Sequence, residues 1–372
     1  VGRPQWDPAV RSFNERAGET RVRRIQSGQA GYALPDYALH HAAGALGFQL
    51  GTNINLSNHG LLKWQPSASR PFPGVPPWQG TPEAAAAMVK RVARYLGADL
   101  VGITPLNPLW FYSHAYWSNG AHKQISFREA AEPAETETEL VLPTSMRWVI
   151  VMGLRMDREM IAFTPSPTGC AETALTYSRM VQLTASLAEF LRGLGYQAIP
   201  SVNDLGLTIP MAIEAGFGEQ GRHGKLITPE FGPSVRLCKV ITDLPMASDS
   251  PVSFGAARFC ESCQRCAREC PSKSIPSGPR TWSGPNISNN PGVFTWHLDN
   301  ETCRKYWNLA LGDNCTVCVR VCPFTKGPNP VHDLARAAVA GAPVLNSLLA
   351  RMDTWLGYGA QRDTNRFWSP RR

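Results

Sequence analysis

Cys260-Glu-Ser-Cys263-Gln-Arg-Cys266-Ala-Arg-Glu-Cys270-Pro271 is the stretch on which the reading of this chain turns. Its C-x2-C-x2-C-x3-C-P spacing is the one with which bacterial ferredoxins carry two [4Fe-4S] clusters. Three thiolates two residues apart wrap one cubane, and the fourth, set off by three residues and turned by proline, points to a neighbouring cluster. Cys303, Cys315, Cys318 and Cys322-Pro323 form a second set with an eleven-residue gap after its first member, so one ligand comes from a separate loop. The crossed pattern assigns Cys260, Cys263, Cys266 and Cys322 to the first cluster, and Cys270, Cys303, Cys315 and Cys318 to the second.

The chain has ten cysteines, and only Cys170 and Cys238 lie outside this region. Disulfide frameworks belong to small secreted domains that lack a core, and 372 residues can bury one without staples. The two isolated cysteines read as buried small hydrophobes. Structural zinc sites pair two short C-x2-C arms, unlike the three consecutive cysteines here. Arg265, Arg268, Lys273, Arg304 and Lys305 lie close enough in sequence to offset cluster charge. A plain electron carrier needs only about 60 residues, so the other ~300 must hold a substrate or a second cofactor.

With 43% hydrophobic and 18% charged residues, 31 Pro and 32 Gly, the composition excludes disorder, coiled coil and repeat solenoid. The net charge of +8 is spread along the chain without a basic stripe interleaved with aromatics, so no nucleic-acid partner is expected. No apolar run reaches the roughly 18 to 20 residues of a membrane span. Arg23-Arg24 invites a twin-arginine export reading, but no apolar stretch follows it.

Around the cysteine region the pattern is α/β. Residues 1–80 are rich in Gly, Pro, Asn and aromatics and read as irregular wrapping, with a helix near Tyr37 to Ala45. Thr81 as N-cap, Pro82 and Glu83 open a helix that stops at Gly97. Strands are expected over Ala98–Thr104, Trp148–Leu154, Tyr196–Pro200 and Val235–Thr242, with helices over Ala171–Leu194 and Ile209–Ala215. Residues 106–146, with the aromatics from Trp110 to Trp117 and an acidic tract from Glu129 to Glu139, read as an insertion. The resulting division is an N-terminal region 1–80, a core 81–254, a two-cluster module 255–327 and a C-terminal segment 328–372 with one helix from Val331 to Met352.

With the module placed after such a core, the sequence resembles the respiratory corrinoid-dependent reductive dehalogenases. The blocks that carry the likeness are Gly97-Ala-Asp-Leu-Val-Gly102, Tyr177-Ser-Arg-Met180, Gly195-Tyr-Gln-Ala-Ile-Pro200, Ile227-Thr-Pro-Glu-Phe-Gly-Pro233, Leu356-Gly-Tyr-Gly-Ala360 and both cysteine motifs. The resemblance implies a nitroreductase-like core with an embedded ferredoxin-like module, a cobalamin-type corrinoid, and replacement of a carbon–halogen bond by carbon–hydrogen. It matches Tyr177 to the proton donor, Arg236 to its supporting arginine, Asn203 to the neighbouring amide, and Trp307 and Phe48 to pocket walls. Leu39-His-His-Ala-Ala-Gly44 lacks the aspartate of the D-x-H-x-x-G histidine-ligand motif, so a base-off corrinoid is expected. The resemblance further implies a small organohalide substrate, a membrane-anchor subunit, an upstream electron donor, and a place on the outer face of the cytoplasmic membrane after twin-arginine export. A phenol is a feasible acid at neutral pH, and a nearby guanidinium favours its phenolate. Two other readings are epoxyqueuosine reductase, a tRNA-modifying relative whose donor is acidic where Tyr177 stands, and a ferredoxin-like electron-transfer subunit.

Overall fold

The computed structural model describes residues 8–44, 47, 60–66, 76–116, 122–327 and 329–369. Phe48 and Trp117 lie outside them. The first 80 residues hold more regular structure than their composition suggests: a 19-residue helix, α1 (Pro8–Gln26), precedes α2 (Leu34–Gly44). α1 has no strong apolar stripe to announce it. It is tied down by cations, Arg21 Nε donating to the Gly312 carbonyl at 2.7 Å and Arg24 Nε to that of Ala310 at 2.8 Å. Tertiary contact, not local pattern, makes this helix.

α3 (Pro82–Tyr95) begins as its sequence predicts, with the Thr81 hydroxyl accepting from the Ala84 amide at 3.2 Å. It leads into β1 (Leu100–Pro105). The expected insertion is a second sheet. Its strands β2 (His114–Tyr116), β3 (His122–Arg128), β4 (Ala134–Glu135) and β5 (Glu139–Pro143) run in the order β2-β3-β5-β4. The acidic tract that hid this sheet is partly neutralised across it, with Lys123 2.6 Å from Glu135.

Next come β6 (Trp148–Arg155), α4 (Arg158–Ile161), α5 (Pro167–Gly193), β7 (Ala198–Ser201), α6 (Thr208–Glu214), the short pair β8 (Glu219–Gln220) and β9 (Leu226–Ile227), and β10 (Val235–Thr242). The main sheet is antiparallel in the order β1-β6-β10-β7. Because strand residues alternate between faces, β6 and β10 feed two cores. Ile150, Met152, Leu154, Cys238 and Val240 pack with α3 and with Met180, Val181 and Leu187 of α5. Val149, Val151 and Ile241 pack against Met211 and Ala212 of α6 and Leu140 and Leu142 of the second sheet. Both isolated cysteines are fully buried, as the sequence predicts.

The cysteine-rich region contains α7 (Ala256–Cys263), α8 (Arg265–Arg268), α9 (Asn300–Tyr306), a π-helical turn over Trp307–Leu311 and α10 (Val317–Arg320). Gly232, at φ 57°, seats it on the core: a Cβ there would collide with the Phe324 carbonyl. The Phe324 ring packs edge-on to Phe259 at 5.3 Å. The single C-terminal helix expected from sequence is two, α11 (Pro330–Gly341) and α12 (Asn346–Trp355), because Pro343 cannot donate to the preceding turn. The buried Arg265–Asp353 ion pair fixes α12 to the cysteine region. Among the described residues no helix is long and apolar enough to cross a membrane.

Candidate functional site

The site grows from α5, whose N-cap Ser166 and Pro167 set its start. Residues i, i+3 and i+7 share a helix face. Cys170, Thr173 and Tyr177 therefore form one line, rising about 10 Å along the axis. At one end the Cys170 thiol donates to the Asn314 carbonyl at 3.2 Å, next to Cys315. At the other end Tyr177 is half-buried, and its hydroxyl accepts a hydrogen bond from Asn203 Nδ2. Between them Arg236 Nη2 donates to Thr173 Oγ1 at 3.3 Å, and the guanidinium lies 5.3 Å from the centre of the Tyr177 ring. Arg236 Nε is buried and has no hydrogen-bond partner among the described residues.

β10 aims Arg236, paired in register with Leu154, at the α5 side of the sheet. Asn203 comes from the loop after β7. That loop is joined to the aromatic segment 110–112: Leu207 N donates to the Trp110 carbonyl at 2.7 Å, and Tyr112 N donates to that of Leu205 at 2.9 Å. Gly206 is required here, since a Cβ would meet the Trp110 carbonyl at 2.6 Å. α2 backs the tyrosine, with Ser178 Oγ donating to the Ala43 carbonyl at 2.7 Å and accepting from the Gly47 amide at 3.1 Å.

Tyr177, Arg236 and Asn203, nominated separately in the sequence, thus meet in space. Trp307 sits at the other end, packed against the cluster that contains Cys266, Cys270 and Cys315, with the Arg304 guanidinium 5.6 Å above its ring. His40 faces Asp313, with Nδ1 3.1 Å from Oδ2.

The eight thiols form two groups that each draw on both motifs. Cys322 lies within electrostatic reach of Cys260, Cys263 and Cys266. Cys303 and Cys315 lie within reach of Cys270 and Cys318. Cys266 packs in one cluster with Cys270 and Cys315, while its thiol lies within electrostatic reach of Cys260 and Cys263 as well as Cys318. Burial pushes the Cys260 and Cys315 thiols up to about 12 and Cys303 to about 11. Buried thiolates of this kind need cationic compensation, which iron supplies, so the donor set fits two [4Fe-4S] clusters. Among the described residues no three His, Cys, Asp or Glu side chains meet on a single point as the ligands of one ion do.

Sequence reasoning missed two buried cations. Arg222, 2% exposed, donates to the Cys260 carbonyl at 3.0 Å and to those of Pro276 and Gly278, with its guanidinium 4.7 Å over Trp296. Lys239 lies fully buried beneath the Asn203 loop. Nothing in either local pattern marks it as internal. Of the cations nominated from sequence, Arg268 donates to the Cys263 carbonyl at 3.0 Å.

Two cavities adjoin at Arg158. One of about 540 Å³ is lined by Arg158, Arg320, Lys326, Tyr358 and Gly359, and one of about 460 Å³ by Arg155, Arg158 and Pro229-Glu-Phe231. Arg158 Nε and Arg320 Nε and Nη1 are buried without hydrogen-bond partners among the described residues.

A family model described as reductive dehalogenase subunit matches residues 130–246, and one described as 4Fe-4S double cluster binding domain matches 259–325. Tetrachloroethene reductive dehalogenase of Sulfurospirillum multivorans is 38% identical over 392 residues, covering 98% of this chain and 78% of that protein. The enzyme of the same name from Dehalobacter restrictus is 37% identical over 303 residues, covering 74% of this chain and 54% of its own length. A reductive dehalogenase whose structure was described in terms of B12-dependent dehalogenation superposes with a TM-score of 0.63 at 25% identity, covering 77% of this chain and 38% of that one. A catabolic reductive dehalogenase solved with 3-bromo-4-hydroxybenzoic acid shares the fold, with a TM-score of 0.62 over 86% of this chain and 41% of its own. The chain therefore spans about half of one curated relative and two fifths of the solved ones, yet nearly all of it aligns to the first. With both motif regions matched, the chain belongs to the corrinoid- and iron–sulfur-dependent reductive dehalogenase family.

Proposed function

We propose that this chain reduces a small organohalide, R–X + 2e⁻ + H⁺ → R–H + X⁻, with Tyr177 as the proton source. The observation that carries the proposal is the line along α5, in which Cys170 abuts the second thiol group and Tyr177, seven residues on, meets Asn203 and Arg236. When bound, the corrinoid supplies a low-valent cobalt able to break a carbon–halogen bond, and the two clusters supply its electrons singly. We assign Cys260, Cys263, Cys266 and Cys322 to one cluster, and Cys270, Cys303, Cys315 and Cys318 to the other.

This chain's own residues do the rest. The unpartnered nitrogens of Arg158 and Arg320 would take the polar periphery of a corrinoid, since buried guanidinium donors need acceptors. Tyr177 Oη gives its proton to the carbon that loses halide. Asn203 Nδ2 then holds the phenolate oxygen, and the Arg236 guanidinium offsets its charge. Trp307 and Phe48 are kept as pocket walls in this proposal. The segment Trp110–Tyr112, joined to the Asn203 loop, brings aromatic surface that favours apolar ligands. With relatives at 36–38% identity named for tetrachloroethene, a chlorinated ethene is the first substrate to try. A membrane-anchor partner, an upstream electron donor and a place on the outer face of the cytoplasmic membrane complete the proposal, and their support is the family's setting.

The test is chloride release from tetrachloroethene by corrinoid-loaded, cluster-replete protein with reduced methyl viologen. One chloride for every two electrons consumed is expected. Viologen oxidation without chloride, across chlorinated alkenes and arenes alike, would overturn the proposal.

A further inference from the structure

Lys239 follows Arg236 by three residues on β10 and so lies on the opposite face of the strand. It is 0% exposed. Its Nζ lies 2.8 Å from the Asp204 carbonyl, 3.3 Å from that of Val202, 3.4 Å from that of Gly206 and 3.2 Å from Thr208 Oγ1. Burying an ammonium is costly unless every proton is taken, and here four acceptors surround three protons. Three of them are carbonyls of one short loop, whose dipoles converge on a single point. Without a cation at that point they would repel one another and the loop would open.

The loop is wound tightly around this centre. Leu205 has φ 63°, the left-handed region that a branched apolar residue rarely occupies without being held. The Asp204 carboxylate accepts from Ser201 Oγ at 2.9 Å and from Val202 N at 2.7 Å. Burial pulls the pKa of Lys239 down, and the Asp204 carboxylate opposes that pull. Asn203 stands between two of the clamped carbonyls, and its amide reaches the Tyr177 hydroxyl across the sheet edge.

We propose that Lys239 is a positioning residue for the proton donor: by gathering the carbonyls of Val202, Asp204 and Gly206 it fixes the loop 202–207 and holds the Asn203 amide on the Tyr177 hydroxyl. This rests on the reading of Tyr177 and Asn203 given above. A lysine that merely stabilised the sheet would act independently of Asn203. One that works through Asn203 loses its effect once that amide is gone.

A double-mutant cycle on the holoenzyme separates these, with chloride release from tetrachloroethene as readout. Asn203→Ala is expected to lower kcat about 10²-fold. Lys239→Met is expected to lower kcat by at least about tenfold with KM unchanged, as small misplacement of a catalytic group does. The double variant should be no slower than Asn203→Ala alone. Hydrogen exchange of the 202–207 amides should quicken in Lys239→Met while β6 and β10 stay protected. Thr208→Val keeps the lysine but removes one acceptor; a smaller effect, equally non-additive with Asn203→Ala, is expected, and it decides the matter if Lys239→Met does not fold. Independent, multiplying effects, or a wild-type kcat in Lys239→Met, would overturn the proposal. A wild-type kcat in Asn203→Ala would instead overturn the proton-donor reading, and the exchange measurement would still judge the clamp.

Discussion

Arg236 does two jobs with one planar group. Its Nη2 donates to Thr173 while its Cζ lies 5.3 Å from the centre of the Tyr177 ring, leaving the buried Nε as a further donor. An ammonium has neither the plane nor the fork, so lysine cannot satisfy both directions from one position. Arg236→Lys is therefore expected to lower kcat about 10²-fold with little change in KM. Steady-state chloride release at matched cobalt and iron content checks this, and an unchanged kcat would remove the guanidinium from the account.

At the scale of elements, α5 is the ruler that separates Cys170, bonded beside Cys315, from Tyr177, the proposed proton donor. Cys270 belongs in sequence to the first motif but lies within electrostatic reach of Cys303 and Cys315, and the proposal places it in their cluster. Cys270→Ala should therefore lose one cluster, bringing iron from about eight towards four per chain, and its reduced-state paramagnetic resonance spectrum should match that of Cys303→Ala. A spectrum that matches Cys260→Ala instead would contradict the crossed ligand sets. Such elements were legible wherever a local rule governs them: β10 runs over Val235–Thr242 as expected, and Thr81 caps α3. α1 was not, because it is held by Arg21 and Arg24 on distant carbonyls; the second sheet was not, because cross-strand pairing such as Lys123–Glu135 has no local pattern. In the site, motif resemblance found Tyr177, Asn203 and Arg236, whereas Arg222 and Lys239 owe their roles to carbonyls contributed by other segments.

Across the whole molecule, an antiparallel sheet sandwiched between α3 and α5 on one face and α6 with a second sheet on the other presents Tyr177, the proposed proton donor, on the helix whose other end meets the cysteine-rich region. In the proposed reaction, electrons and the proton enter one region from opposite ends of α5. The measurement that tests this most directly is the turnover of Tyr177→Phe, with tetrachloroethene and reduced methyl viologen, after iron and cobalt have been counted. The ring, its packing and the guanidinium above it remain, and only the hydroxyl is lost. Full occupancy of the corrinoid and both clusters with turnover reduced by about 10² to 10⁴, the usual cost of removing a general acid, is the expected result. Near wild-type chloride release from fully loaded Tyr177→Phe would contradict the account and assign the proton to water or to another side chain.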